Sequence, residues 1–395
     1  MAKLAVAQIG VGRRGGAVRL PYILRMDDVF ELVAICDRDE ATAREFAAKH
    51  GVAAYGRVQD LVANEQLDLA AVSTPGDSHH AICAYLAEHG VNMIVETPLA
   101  VTLPLCDLIT DAVTRNKVKL EVAEQYPRDP WHLFKRELIS SGYIGDVLRI
   151  FSLFQTGGYH IMSSLRLLAG ARAVRATGFA MDTPIPRVNA SEIRQYTHED
   201  WSMGAIDFAN GAMGLMSYSP LYHAHAIGRK QKMLFQIDGT TGSIVENDVY
   251  LTTEAQRLNG GQATVYPIKT VMKTVGDAQV FERLEIETDP PFTWANPFPQ
   301  YRVGVGGLAI IEEMDSIVNA ILNDQKPRYD AQSGREDMEL EIAVAESGRL
   351  GRKPLALPLA DITPYEEQAH QRLRTTYGAD PFDVEKLVDC FFPKV

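Results

Sequence analysis

The chain has 395 residues, 46% of them hydrophobic, and a formal net charge of −12. That is length and apolar content enough for two cores, and the acidic balance argues against nucleic acid or an anionic membrane as a partner. No apolar run approaches the ~18 residues of a membrane span. The chain enters its first apolar run with no basic n-region, h-region or cleavage site, so a cytoplasmic protein is expected. Cys36, Cys83, Cys106 and Cys390 form no C-x-x-C pair; neither a disulfide framework nor a zinc knuckle is expected, and buried thiols are.

The first expected strand, Leu4–Ile9, runs straight into Gly10-Val11-Gly12-Arg13-Arg14-Gly15. A helix over Ala17–Arg25 would follow, with its free N–H groups turned toward a pyrophosphate. Phe30–Cys36 reads as a second buried strand with Asp37 at its carboxyl end, 22 residues after Gly15. Strand, glycine-rich turn, helix, strand and acid in this order form a dinucleotide site, with Gly10, Gly12 and Gly15 under the phosphates and Asp37 accepting from the adenosine ribose. Asp37 would repel a 2′-phosphate, which favours NAD. Arg13, Arg14 and Arg38 are each able to pair with such a phosphate or to form a solvated rim, which keeps NADP as the alternative.

The alternation continues with strand Leu67–Ser73 ending in Thr74-Pro75, helix Ala81–His89, strand Asn92–Glu96, helix Leu103–Arg115 and strand Lys119–Ala123. This predicts an α/β domain, a Rossmann doubly wound parallel sheet. Ligands bind at the carboxyl ends of such strands, where Gly10, Asp37, Thr74, Glu96 and Gln125 fall. Further on, Val147–Phe154 reads as a strand and Ile161–Leu168 as a helix. Trp201–Ser219 reads as two strands around the turn Asn210-Gly211, and Leu234–Ile237 and Gly242–Val245 as strands around Asp238-Gly239. Gly307–Leu322 looks helical, and from about Ile362 an extension is expected to lie on the surface or on a neighbour.

His223 and His225 share a strand face and, with His198-Glu199-Asp200, have ligand types that suit zinc. The spacing is unspecific, so surface or substrate-site polar residues are the better reading and no metal is expected. With Arg229 and Lys230 nearby, the segment also suits an anionic sugar.

The succession GVGRRG, CDRD, STPGDSH, an E-x-P after the fourth apolar run and RELISSGYIGDV resembles the glucose–fructose oxidoreductase, inositol dehydrogenase and rhizopine-catabolism (Gfo/Idh/MocA) family over roughly residues 3–150. The resemblance implies a Rossmann domain (1–123) and a C-terminal α/β domain (124–360) with an open, mainly antiparallel sheet. One face of that sheet carries a sugar site and the other often a subunit contact, so a homodimer or homotetramer acting on a small carbohydrate-like substrate is expected. Residues 361–395 extend beyond the usual core. The resemblance places Thr74, Pro75, His79, Glu96, Thr97 and Gln125 in segments flanking the cofactor, with His79 positioning its loop and His80 its exposed neighbour. It gives Glu96 a ribose or carboxamide contact, the alternative being a buried carboxylate on a backbone donor.

Two departures bear on chemistry. The family usually reads Glu-Lys-Pro where this chain has Glu96-Thr97-Pro98, and a threonine hydroxyl carries no charge to stabilise an alkoxide. The usual Asp-x-Gly-x-His-x-x-Asp is here Thr156-Gly157-Gly158-Tyr159-His160-Ile161-Met162-Ser163, without either aspartate, and the segment before it is shorter. His160 thereby becomes the leading acid/base, since an imidazole titrates near ~6.5. Tyr159, Tyr126 and Thr97 are secondary candidates. Three readings stand: an NAD(P)-dependent oxidoreductase of a sugar or polyol alcohol, an NAD-recycling hydrolase or lyase working through transient sugar oxidation, and a nucleotide-binding protein without catalysis.

Overall fold

The computed structural model describes residues 3–153, 157–189, 195–223 and 234–390. The chain divides into two compact units, one of Met1–Gln125, Ala309–Met338 and Ile362–Val395, the other of Tyr126–Leu308 and Glu339–Asp361.

The first unit is built on six parallel strands, β1 (Leu4–Ile9), β2 (Phe30–Cys36), β3 (Ala53–Tyr55), β4 (Leu69–Val72), β5 (Asn92–Val95) and β6 (Leu120–Val122), in the order β3-β2-β1-β4-β5-β6. Every residue of β4 and β6 is buried, as a parallel strand covered on both faces requires. The direction of winding reverses between β1 and β4, which opens the crevice where such sheets bind ligands. Gly10 ends β1 at φ +81, and a β-carbon there would stand 2.6 Å from the Ser73 carbonyl oxygen, so only glycine lets these two strand ends approach. The helix that follows starts earlier than its apolar pattern suggests, with a wide turn over Gly15–Arg19 leading into Leu20–Arg25.

The segment expected as an extension on the surface or on a neighbour is part of this unit. Its helix Pro364–Tyr377 begins with a capping box between Thr363 and Glu366. The buried Glu366 also accepts from the Leu103 N–H at 2.8 Å, and His370 Nε2 lies 2.8 Å from Thr102 Oγ1. Ala379 and Leu387 then pack on Ala81 of the helix His79–Glu88. His80 is therefore 1% exposed, not surface-facing as expected, and burial pushes its pKa down to about 4.

The second unit carries β7 (Val147–Leu153), β8 (Ala173–Asn189), β9 (Gln195–Phe208), β10 (Met213–Tyr218), β11 (Leu234–Gly239), β12 (Gly242–Val245), β13 (Asp248–Leu251) and β14 (Thr264–Pro267). A separate antiparallel sheet is formed by β15 (Lys269–Val275), β16 (Ala278–Ile286) and β17 (Phe292–Ala295). With β18 (Leu355–Ala356), the first group makes a nine-stranded sheet ordered β14-β13-β12-β11-β7-β10-β9-β8-β18. Within it β7 and β10 are parallel and the other pairs antiparallel. The hairpin expected at Asn210-Gly211 joins β9 to β10, whereas Asp238-Gly239 stay in β11 and the reversal falls at Thr240-Thr241. The helix Gly158–Ala169 lies on β7 and β10. On the other face the pleat gathers Phe151, Phe179, Met203, Met213 and Leu215, none of them buried.

Candidate functional site

In the first unit, Gly10, Gly12, Asp37, Arg38, Thr74 and Pro75 line a cavity of about 540 Å³ at the carboxyl ends of β1, β2 and β4. Its glycine-rich floor is held from below by a group the motif does not contain. Gln8, fully buried in β1, donates from Nε2 to the Gly10 carbonyl at 2.9 Å. Asp37 accepts from the Val11 and Asp39 N–H groups at 2.9 and 3.0 Å, which fixes the carboxylate while each oxygen keeps a lone pair for a ribose hydroxyl. The cavity, the glycine turn and the fixed acid fit a dinucleotide, with Gly10, Gly12 and Asp37 as the residues that would hold it.

Arg13 is exposed. Arg14 is already engaged, donating from Nε to Glu96 Oε2 at 2.8 Å and from a terminal nitrogen to Gln125 Oε1 at 2.9 Å. The other oxygen of Glu96 accepts from Arg19 at 2.8 Å, and Arg19 also donates to Glu313 at 2.9 Å. Glu96 is thus bonded by two guanidinium groups, not by the single backbone donor considered from the sequence. The buried Arg19, Glu96 and Glu313 and the half-buried Arg14 balance in charge, which offsets the cost of burying the ions. Burial alone would raise the Glu96 pKa, but Arg19 and Arg14 outweigh it and hold the carboxyl below its usual range. For Arg19 burial lowers the pKa, and Glu313 with Glu96 more than offsets that.

His79 is fully buried, its Nδ1 2.7 Å from the Pro98 carbonyl oxygen and its Nε2 2.9 Å from that of Thr74. It therefore links the loop after β4 to the Glu96-Thr97-Pro98 segment, in which Thr97 is half-buried. Burial lowers its pKa against the pull of the two carbonyls.

In the second unit Tyr126, Tyr159 and His160 come together. The His160 ring lies 4.8 Å from that of Tyr126 and 5.9 Å, edge-on, from that of Tyr159. Facing this helix start is Glu341, from the helix Ala331–Arg349, whose Oε1 would stand 3.1 Å from a β-carbon at Gly158. Burial pushes the Glu341 carboxyl up to about 7, with His160 pulling it down. Glu341 carries no local motif and lies 181 residues after His160, so the sequence offered no signal for it.

Among the described residues no group of three or more His, Cys, Asp or Glu is arranged to hold a metal. Thr156, His225, Arg229 and Lys230 lie outside the described residues, and His198 is exposed on β9.

Comparison with known proteins places both units. Residues 4–124 match the oxidoreductase family's NAD-binding Rossmann fold, and residues 149–357 match its C-terminal alpha/beta domain. The chain belongs to the Gfo/Idh/MocA oxidoreductase family. Within the family it is 26% identical over 244 residues to 1-carboxy-3-chloro-3,4-dihydroxycyclo hexa-1,5-diene dehydrogenase from Comamonas testosteroni, a match covering 56% of this chain and 59% of that one. It is 31% identical over 141 residues to inositol 2-dehydrogenase from Burkholderia vietnamiensis, covering 34% and 42%. These matches span less than two thirds of the relatives' own length. Levoglucosan dehydrogenase, solved in complex with NADH and levoglucosan, shares the fold at a TM-score of 0.67 and 22% identity, over 91% of this chain and 100% of that one.

Proposed function

We propose that this protein is an NAD-dependent oxidoreductase acting on a secondary alcohol of a sugar, polyol or related carbohydrate, with His160 managing the hydroxyl proton. The observation that carries the reading is the grouping of His160, Tyr126 and the half-buried Glu341 in a family member that keeps the Asp37-anchored dinucleotide cavity. When bound, the nicotinamide supplies hydride acceptance. His160 accepts the proton of the reacting hydroxyl, and a Glu341 carboxyl near neutrality is poised to share that charge. Tyr126 orients the imidazole by ring contact. Thr97, where the family usually has lysine, leaves the proton work to His160. The relatives named for inositol and levoglucosan support a carbohydrate-like substrate.

On the same reading the unit of Tyr126–Leu308 and Glu339–Asp361 holds the substrate. The unburied apolar face, with Met181 and Met213 exposed at 47% and 38%, joins copies into a homodimer or homotetramer. No helix among the described residues is long and apolar enough to cross a membrane, and the four cysteines are free, which supports a cytoplasmic setting.

The test is absorbance at 340 nm with NAD or NADP against a panel of sugars, polyols and glycosides, with products followed by mass spectrometry. Stoichiometric nicotinamide reduction supports a net dehydrogenase. Product without a lasting absorbance change would replace it with a cofactor-recycling hydrolase or lyase. Nucleotide binding with no turnover, and the same affinity in His160→Ala, would replace it with a non-catalytic binding protein.

A further inference from the structure

The dinucleotide cavity has a wall that does not come from the Rossmann strands. Val388 and Cys390, which follow the short helix Val384–Leu387, line it beside Asp37 and Arg38. Between them Asp389 turns to a second cleft, shared with Arg38, Glu40, Gly56 and Arg57. There its carboxylate accepts from Arg57 through both Nε and a terminal nitrogen, at 3.1 and 2.8 Å, and from Gln59 Nε2 at 2.8 Å. Arg38 stands 4.0 Å from the same oxygen and donates to the Asp389 carbonyl. Glu40, on the same cleft, is paired with Arg44 at 2.9 Å.

Two guanidinium groups therefore converge on one anion next to the acid that would hold the adenosine ribose. A planar, permanently charged fork of this kind is what a ribose 2′-phosphate needs, and an arginine near the ribose acid is the usual means of accepting one. Here the place is taken from within the chain. We infer that Asp389 selects NAD over NADP by occupying Arg38 and Arg57 with its own carboxylate. A covalently tethered anion competes at high effective concentration, so free NADPH gains little from displacing it, while NADH brings no group to that spot and is unaffected. Asp37 disfavours the phosphate by charge. Asp389 adds a separate barrier by removing the cations that would offset that repulsion. The inference depends on nucleotide binding by the first unit alone and stands whether or not His160 is the proton acceptor.

Asp389 has a 47% exposed side chain, so Asp389→Asn removes charge without opening a core. Titrating NADH and NADPH by nicotinamide fluorescence against wild type, Asp389→Asn, Asp389→Glu and Asp389→Asn/Arg57→Ala provides the test, with thermal melts as the control of folding. The expected result is that Asp389→Asn tightens NADPH by about tenfold and leaves NADH within about twofold. Asp389→Glu should keep the wild-type discrimination, and adding Arg57→Ala should abolish the gain. Equal weakening of both nucleotides would mean that residue 389 only walls the cavity, and would overturn the inference. So would a wild type that binds NADPH as tightly as NADH, or a gain that survives Arg57→Ala.

Discussion

Arg14 donates its Nε hydrogen to Glu96 at 2.8 Å and so ties the glycine-rich turn to the end of β5. The bond belongs to a four-ion network completed by the buried Arg19 and Glu313, in which Arg14 itself stays 36% exposed. Glu96→Ala leaves Arg19 in the interior with one carboxylate instead of two. Removing one member of a buried ion network costs about 3 kcal/mol, so urea unfolding should show the midpoint falling accordingly. A change within experimental error would mean that Glu313 suffices for Arg19.

The Glu341 carboxyl gives a pH signature. It titrates near 4.5 in an unfolded chain and at about 7 in the folded one, so the folded state binds its proton more tightly. The stability from the neutral form is fully present below pH 4.5 and is lost as pH rises through 7. The loss is on the order of 3 kcal/mol. Glu341→Gln stays neutral and is spared it. Melting temperatures of the two proteins should therefore diverge between about pH 5 and pH 8 in favour of the variant. Parallel curves over that interval would count against a raised carboxyl.

His160→Ala should lower kcat by about 10²- to 10⁴-fold, the usual worth of a positioned general base. Fluorescence titration of NADH should give an unchanged Kd, since no residue of the nucleotide cavity is altered. Loss of nucleotide affinity in step with loss of rate would assign the histidine to binding instead.

Glu366 anchors the helix Pro364–Tyr377 to the start of the helix at Leu103. Glu366→Ala strands the N–H groups of Leu103 and Thr363 and should cost about 2 kcal/mol. Hydrogen exchange should rise over His79–Glu88, which that segment covers through Ala379 and Leu387. If exchange rose only near Leu103, the two docking points would be independent.

The parallel sheet, the glycine turn and the ribose acid were legible because each is local: an apolar run, a spacing of glycines, an acid at a strand end. The histidine–tyrosine grouping was legible in part, since His160 and Tyr159 are neighbours and Tyr126 follows Gln125 just beyond an expected strand. What escaped was set by partners far along the chain. Glu96 could not be seen as a guanidinium partner without Arg19 and Glu313, and Glu341 became visible only when its helix was laid beside Gly158. His80 read as exposed because nothing nearby in sequence covers it. The C-terminal segment does, with the Pro381 backbone bonding the ring from 301 positions away.

The first unit is assembled from three stretches of chain, and the ion pair from Arg19 to Glu313 spans 294 positions. At ~5–20 residues per second on the ribosome, roughly 15 to 60 seconds separate the emergence of the two partners. For that time the nascent sheet carries a buried-type arginine short of half its counter-charge, and a surface over His79–Glu88 that is still bare. A fragment cut at the sequence boundary near residue 123 would hold that state permanently. The nucleotide-binding half is therefore made first and finished last, completed by residues that are translated only after most of the second unit.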